Sequence, residues 1–266
     1  MERYVENIGR TIREALEKLV AEARLFLEAL YWIFIAPFTR KKSVSWAATS
    51  HQMVFSGVHS LIIVFFVAFF TGVVLAMQSA YQLVQFGVKS LVASLVSVSM
   101  ARELGPVFTA LVVTGRVGSA ITAEISSMKV NEQIEALDTM AINPVRYLVA
   151  PRLLALVIML PCLTVLADII GMLGGFVIGF FTLKINPGMY MDMTVRFLQL
   201  KDIYTGLAKS FVFAIIIATV GCHEGLSARG GAEGVGRATT ISVVRSFIMI
   251  ILADCILTGI FYFADV

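Results

Sequence analysis

The amino-acid sequence predicts an all-α polytopic membrane protein: an N-terminal amphipathic interfacial helix, five transmembrane helices, and a short cytoplasmic helix between the second and third spans. Three observations carry this expectation. The 266 residues are 58% hydrophobic and 15% charged, with a mean hydropathy of +0.87, whereas soluble domains carry about a quarter charged residues. Apolar runs approaching the ~20 residues that cross a bilayer recur along the chain. Basic residues also fall unevenly between alternate connections.

Two regions are expected, residues 1–45 and 46–266. In the first, Val5, Ile8, Ile12, Leu16, Leu19, Ala23, Phe26, Leu30 and Phe34 recur at steps of three and four, which makes one helical stripe. Charged residues, Glu22 and Glu28 among them, occupy the other faces. No soluble core follows, so the membrane interface is the economical place for such a helix. Pro37 ends it and Arg40-Lys41-Lys42 forms a basic anchor. The opening residues lack the basic-then-apolar pattern of a removable signal peptide, so the internal spans are expected to drive insertion.

The spans are expected at about 53–78, 91–115, 153–181, 205–224 and 241–263. Gly105-Pro106 should kink the second, and Pro161 and Asp168 interrupt the third. A polar, helix-prone segment at about 128–141 precedes the break at Asn143-Pro144. Residues 184–202 read as a polar connection with a turn at Asn186-Pro187-Gly188, and Gly225–Thr239 as a flexible glycine-rich connector. With the N-terminus inside, 14 of the 21 Lys and Arg residues fall in cytoplasmic segments and 4 in outer ones (Lys89, Lys184, Arg196, Lys201). That bias favours a cytoplasmic N-terminus and an outer C-terminus.

Ionisable residues inside spans are costly, so Arg102, Glu103, Asp168, Lys209 and Asp254 are candidate functional residues. They either fix helix packing by internal pairing or line a polar cavity for a charged head group; Lys209 and Asp254 are placed to pair with Glu103 and Arg102. Gly171, Gly175 and Gly179 form a small-residue ladder, as do Gly115, Ser119 and Ala123. Such ladders serve close packing within the chain or at a homodimer seam.

Catalytic and metal constellations are not expected. His51, His59 and His223 are isolated, and Cys162, Cys222 and Cys255 read as reduced thiols in apolar stretches. The run Gly230–Gly236 has the glycines of a phosphate loop without its lysine or a preceding strand. Any ATP-driven work must therefore use a nucleotide bound by another chain. Segment 128–141 is then either an ordinary interfacial helix or one that docks in a groove on a soluble partner. It is acidic through Glu132, Glu135 and Asp138 and apolar through Val130, Ile134, Leu137 and Met140.

The runs Arg102-Glu103-Leu104-Gly105-Pro106-Val107, Gly115-Arg116-Val117-Gly118 and Glu132-Gln133-Ile134-Glu135-Ala136-Leu137 closely resemble the MlaE/YrbE family of permeases. Gly230–Gly236, Ala238-Thr239-Thr240 and Asp254 also look like that family, so the resemblance reaches from about residue 53 to the C-terminus. It implies a homodimeric ABC-transporter permease in the bacterial inner membrane. Cytoplasmic ATPase subunits would bind ATP and Mg, joined by a periplasmic MCE-domain protein and often a STAS-domain protein. The substrate would be phospholipid moved between inner and outer membranes. The family's coupling helix maps onto about Val130–Ala141, giving Glu132, Gln133, Ile134, Glu135 and Leu137 as ATPase contacts. Its lipid cavity takes residues near Gln78, Leu83, Phe86, Arg102, Glu103 and Leu104. No cofactor in this chain and no nucleic-acid partner is expected. The rival from another class is an ion- or proton-coupled secondary carrier using Glu103, Asp168 and Asp254 as a relay.

Overall fold

The computed structural model describes residues 2–36 and 44–263, with side chains of the first helix described at Arg13 and from Leu16 onward. The expected break at Pro37, the anchor Arg40-Lys41-Lys42 and the last three residues lie outside the described part. Helix α1 (Glu2–Leu30) continues through a π-helical turn at Tyr31–Ile35. Five long apolar helices follow, α2 (Trp46–Gln85), α3 (Leu91–Val130), α5 (Val145–Phe181), α7 (Leu200–Leu226) and α8 (Gly231–Phe263). Two short ones intervene, α4 (Gln133–Thr139) and α6 (Pro187–Phe197). The five long helices are of a length and composition to cross a membrane, where a helix satisfies its backbone polar groups internally.

Every long helix exceeds its expected bounds, because polar residues at the ends continue the backbone hydrogen bonding beyond the apolar run. The connection at 184–202 contains α6. Its Asn186 side chain accepts from the Gly188 amide at 2.9 Å, and Pro187 occupies the first turn, where its missing N–H costs nothing. The glycine-rich segment is also largely helical. Only Gly230 and Gly231 adopt positive φ, 94° and 69°. Beyond them, Thr239 and Thr240 hydroxyls donate to the carbonyls of Val235 and Gly236 at 2.8 and 3.1 Å.

Proline and glycine deform the long helices in specific ways. At the kink expected for Gly105-Pro106, α3 opens into a π-helical turn at Met100–Leu104. The wider turn accommodates a ring that would otherwise meet the carbonyl one turn earlier. Helix α2 is interrupted at Gly57 by a single tight turn, Val58–Ser60. Arg116 repairs that break: its Nη1 donates to the Phe55 carbonyl at 3.1 Å and to Ser60 Oγ at 2.8 Å. A carbonyl freed inside an apolar bundle needs such a donor.

Helix α5 packs along α2, and α7 packs against α3, α5 and α8 and so forms the centre of the bundle. Leu153, Leu156, Leu160, Ile121, Ile125, Phe213 and Ile217 fill the main core. The α2–α5 crossing depends on glycine. A Cβ at Gly72 would lie 1.9 Å from the Gly171 carbonyl oxygen, and one at Gly174 would lie 2.3 Å from that of Phe69. The ladder Gly171, Gly175 and Gly179 thus packs within the chain, against Met100, Val96 and Tyr190. Gly115 faces open space.

Among the described residues the apolar stripe of α1 is only partly turned to the bundle, with Phe26 packed on the main core. Leu16, Leu19 and Phe34 are exposed, while Glu22, Ala29, Trp32 and Ala36 are buried against it. Helices α2 and α8 also leave long apolar faces uncovered, including Phe66, Phe70, Ile248, Ile256 and Ile260. The antiparallel order places α1, α4 and the Arg245 end of α8 at one end of the bundle, and α6 at the other.

Replacing Gly72 by Ala is expected to destabilise the chain by about 1–3 kcal/mol through overpacking against a rigid backbone. Gly115→Ala should leave stability unchanged. Thermal unfolding of both variants in detergent provides the comparison, and equal melting temperatures would contradict the close crossing.

Candidate functional site

Lys209, on the central helix α7, is 1% exposed. Carrying an ammonium into such a place costs several kcal/mol unless it is paired and hydrogen-bonded. Three groups from two neighbouring helices do this. Glu103, in the π-helical turn of α3, accepts from Lys209 Nζ. Asp254 Oδ1, on α8, forms a close ion pair with it at 2.8 Å, and Thr258 Oγ1, one turn further along α8, accepts at 2.7 Å. The Thr258 hydroxyl donates in turn to Glu103 Oε1 at 3.2 Å. Two carboxyl groups thus share one ammonium, and the Glu103 side chain is partly exposed.

Its depth follows from helix geometry. Lys209 is nine residues from the start of α7, Asp254 nine from the end of α8, and Glu103 twelve from the start of α3. At about 1.5 Å per residue the cluster lies roughly 14–18 Å from the α6 end of the bundle, which is mid-depth for a ~30 Å hydrocarbon layer that begins at those helix ends.

The expected pairing is thus partly rearranged. Lys209 and Asp254 both join Glu103, but Arg102 turns instead to Asp202, with Nε 3.5 Å from Oδ1. Successive residues on a helix point in different directions, which separates Arg102 from Glu103. Asp202 escaped the sequence reading, although Gln199-x-x-Asp202 carries a usable signal. It closes a capping box at the start of α7, its Oδ2 accepting from the Gln199 amide at 2.9 Å. Asp168 does not belong to the cluster. Its Oδ1 is buried without a hydrogen-bond partner and presses on Gly105, where a Cβ would come within 1.7 Å.

The residues expected to line a lipid cavity do not enclose one within a single chain. Gln78 is exposed on α2 and Phe86 just beyond its end, and Leu83 packs on the cluster of Ala76, Ala80 and Val92. Leu104 lines an apolar crevice with Val64, Ala68, Phe108 and Ala167, whose volume of about 10 Å³ has no room for an acyl chain.

Helix α4 is shorter than its expected span because residues 128–130 complete α3. Glu132 and Ala141 bracket it with φ values of 59° and 56°, a left-handed conformation that costs a non-glycine residue about 1 kcal/mol or more. Ile134 is buried in the main core and Leu137 packs on it, so these two anchor α4. Glu132, Gln133, Glu135 and Met140 face outward. Lys129 donates to Glu135, and that bond holds the Glu135 carboxyl below the usual carboxylate range. The pair therefore persists at neutral pH and is lost as pH falls through the lowered value.

A second polar cluster, absent from the sequence reading, brings Glu22 of α1 to His223 and Glu224 of α7 and Arg245 of α8. Only the fold unites residues so distant along the chain.

Lys209→Ala leaves two carboxylates with no cation between them and is expected to destabilise the protein by about 3–5 kcal/mol. Asp254→Asn should cost less, since Glu103 still neutralises the lysine. Unfolding curves of the two variants check this order, and a reversed order would show that Asp254 carries the pairing.

Comparison with known proteins fits this architecture. The sequence profile described as Permease MlaE matches residues 49–260, which take in α3, α5 and α7, all but three residues each of α2 and α8, and both polar clusters except Glu22. A probable ABC transporter permease protein of Rickettsia typhi is 43% identical over 211 residues, covering 79% of this chain and 82% of that protein. One from a Synechocystis strain is 42% identical over 214 residues, covering 80% and 81%. The intermembrane phospholipid transport system permease protein MlaE of Haemophilus influenzae is 37% identical over 212 residues, covering 79% and 81%. The chain belongs to the MlaE permease family.

Proposed function

We propose that this permease moves phospholipid between inner and outer membranes as the membrane subunit of an ABC transporter, working as a homodimer with separate cytoplasmic ATPase subunits. The observation that carries the proposal is the Lys209 cluster. It is a polar, half-open group at mid-membrane depth, and its α8 residues Asp254 and Thr258 lie on a helix whose other faces expose Ile251, Leu252, Ile256 and Ile260. Such a surface suits a molecule with a charged head and apolar chains. The phospholipid in the name of the Haemophilus influenzae relative supplies the substrate class.

In this reading the uncovered faces of α2 and α8 meet those of a second copy, and the lipid cavity forms between the copies. Gln78, Leu83 and Phe86 line its walls for acyl chains, and Arg102, Glu103 and Leu104 stand near the head group. The α1 stripe rests in the interface of the inner membrane. The basic-residue bias puts α1 and α4 in the cytoplasm and α6 in the periplasm, where an MCE-domain protein would receive the lipid. A STAS-domain protein would bind the ATPase, which holds the ATP and Mg. Helix α4 is the coupling helix: Ile134 and Leu137 fasten it to the core, and Glu132, Gln133, Glu135 and Met140 meet the ATPase. ATP binding draws the two coupling helices together and narrows the cavity. A proton-coupled carrier is disfavoured, because Asp168 shares no ion pair or hydrogen bond with Glu103 or Asp254 among the described residues.

Affinity purification from native membranes, with protein and lipid mass spectrometry, tests the assembly: ATPase and MCE-domain subunits should co-elute with phospholipid. Elution of a lone chain from membranes known to preserve such complexes would overturn it. Glu135→Lys sets two lysines side by side at the docking face and is expected to abolish ATPase co-purification while the melting temperature stays unchanged. Normal ATPase recovery with this variant would remove α4 from the coupling role.

A further inference from the structure

Helix α1 touches the bundle through two sets of polar contacts, one beside the docking helix and one near the middle of α8. Near its end, Glu28 Oε1 accepts from Asn143 Nδ2 at 3.1 Å, and the Arg146 guanidinium lies over the Trp32 ring at 5.6 Å. Asn143 and Arg146 belong to the short segment that joins α4 to α5 and the first turn of α5. Six residues earlier, about 9 Å along the helix, Glu22 is 5% exposed and its Oε1 lies 2.8 Å from Arg245 Nη2. The other arm of the same guanidinium donates to Glu224. His223 borders the group, its Nδ1 3.8 Å from Glu22 Oε1.

Glu22, His223 and Glu224 offer ligand atoms within 4.8 Å of one another, but Arg245 already supplies the positive charge to both carboxylates. The arrangement is therefore an ionic joint among three helices. One guanidinium ties Glu22 of α1 to Glu224 of α7, so a displacement of α1 bears directly on Arg245 of α8. Burial pushes the Glu22 carboxyl above the ordinary carboxylate range; Arg245 pulls it back and Glu224 pushes it up again. The Arg245 contact is what favours the charged form of this carboxyl against its burial.

The surroundings leave room for movement. Between α1 and the end of α7 lies a groove of about 620 Å³, lined by Leu16, Val20, Leu25, His223 and Leu226. Helix α8 is buried chiefly through the small residues Ala238, Ser242 and Ser246, which interlock little, and through Ile250 in the main core. Arg245 thus bears on the angle of a helix that, nine residues further on, carries Asp254 of the Lys209 cluster.

We propose that α1 is a second transmission arm: it links the segment behind docking helix α4 to α8 through the Glu22–Arg245–Glu224 joint, and Arg245 is a positioning residue for the lipid-facing cluster. The proposal rests on the ATPase-driven reading given above. Displacement of α4 pulls on Asn143 and Arg146, the pull passes along α1 from Glu28 to Glu22, and α8 tilts about Arg245. Asp254 then shifts relative to Lys209.

The test uses the complete complex reconstituted in phospholipid vesicles, with ATP hydrolysis and lipid movement measured together. Glu22→Gln and Arg245→Ala are expected to lower lipid moved per ATP about fivefold or more, the lower end of a typical coupling free energy, while ATPase binding and hydrolysis persist. Arg245→Lys should restore part of the ratio. Wild-type ratios in both variants would overturn the arm while leaving the transporter reading intact. A wild-type complex that moves no lipid with ATP would overturn the transporter reading itself. A readout independent of variant folding is hydrogen exchange over residues 16–36 of the wild-type complex, with and without a trapped ATP analogue. Changed protection is expected, and identical protection in the two states would overturn the arm.

Discussion

A single ammonium buried at mid-membrane depth constrains much of this molecule. Lys209 can remain charged on the central helix only if acceptors reach it from its neighbours. Glu103 must therefore come from α3, and Asp254 and Thr258 from α8. The π-helical turn at Met100–Leu104 carries Glu103 to this position while Pro106 follows in the same helix. Close contact of α7 with α3 requires small residues at the crossing, and a Cβ at Gly206 would meet the Ala101 carbonyl oxygen at 2.0 Å. Charge, helix deformation and glycine placement are thus parts of one solution.

The same logic repeats at the other end of the bundle with a different emphasis. The Lys209 cluster has its cation in the interior and its acids toward the open side. The Arg245 joint has a buried acid from outside the bundle and a cation that retains a second partner. The first arrangement joins three long helices through one ammonium, and the second joins α1 to two of them through one guanidinium. Arg116 illustrates a third use of buried charge, since it satisfies a backbone carbonyl rather than a carboxylate.

One chain leaves its apolar faces unfinished. Helices α2 and α8 expose Phe, Ile and Leu in quantities that suit lipid or a second copy, and the cavity-lining residues implied by the family resemblance enclose nothing on their own. The permease reading accounts for both facts, because a site built between copies is necessarily incomplete in either.

The sequence by itself determined the five spans, the sites of intramembrane charge and the family, because hydropathy and motif identity are local properties. Span ends were harder to read: Arg146, Arg152, Lys201 and Asp202 interrupt the apolar signal where α5 and α7 begin, and α6 begins within a segment that composition marks as a turn. Helical periodicity found the α1 stripe but assigned Glu22 to a polar outer face. Only the tertiary structure turned it inward, since Arg245 lies more than two hundred residues away and rewards that burial. Tertiary contact likewise decided that Arg102 meets Asp202, that Asp168 stands apart, and that Ile134 anchors α4 instead of offering itself to a partner. Pairing of charges depends on distance in space, and in a helical bundle that distance is set by the crossing of backbones at glycines such as Gly72, Gly171 and Gly206.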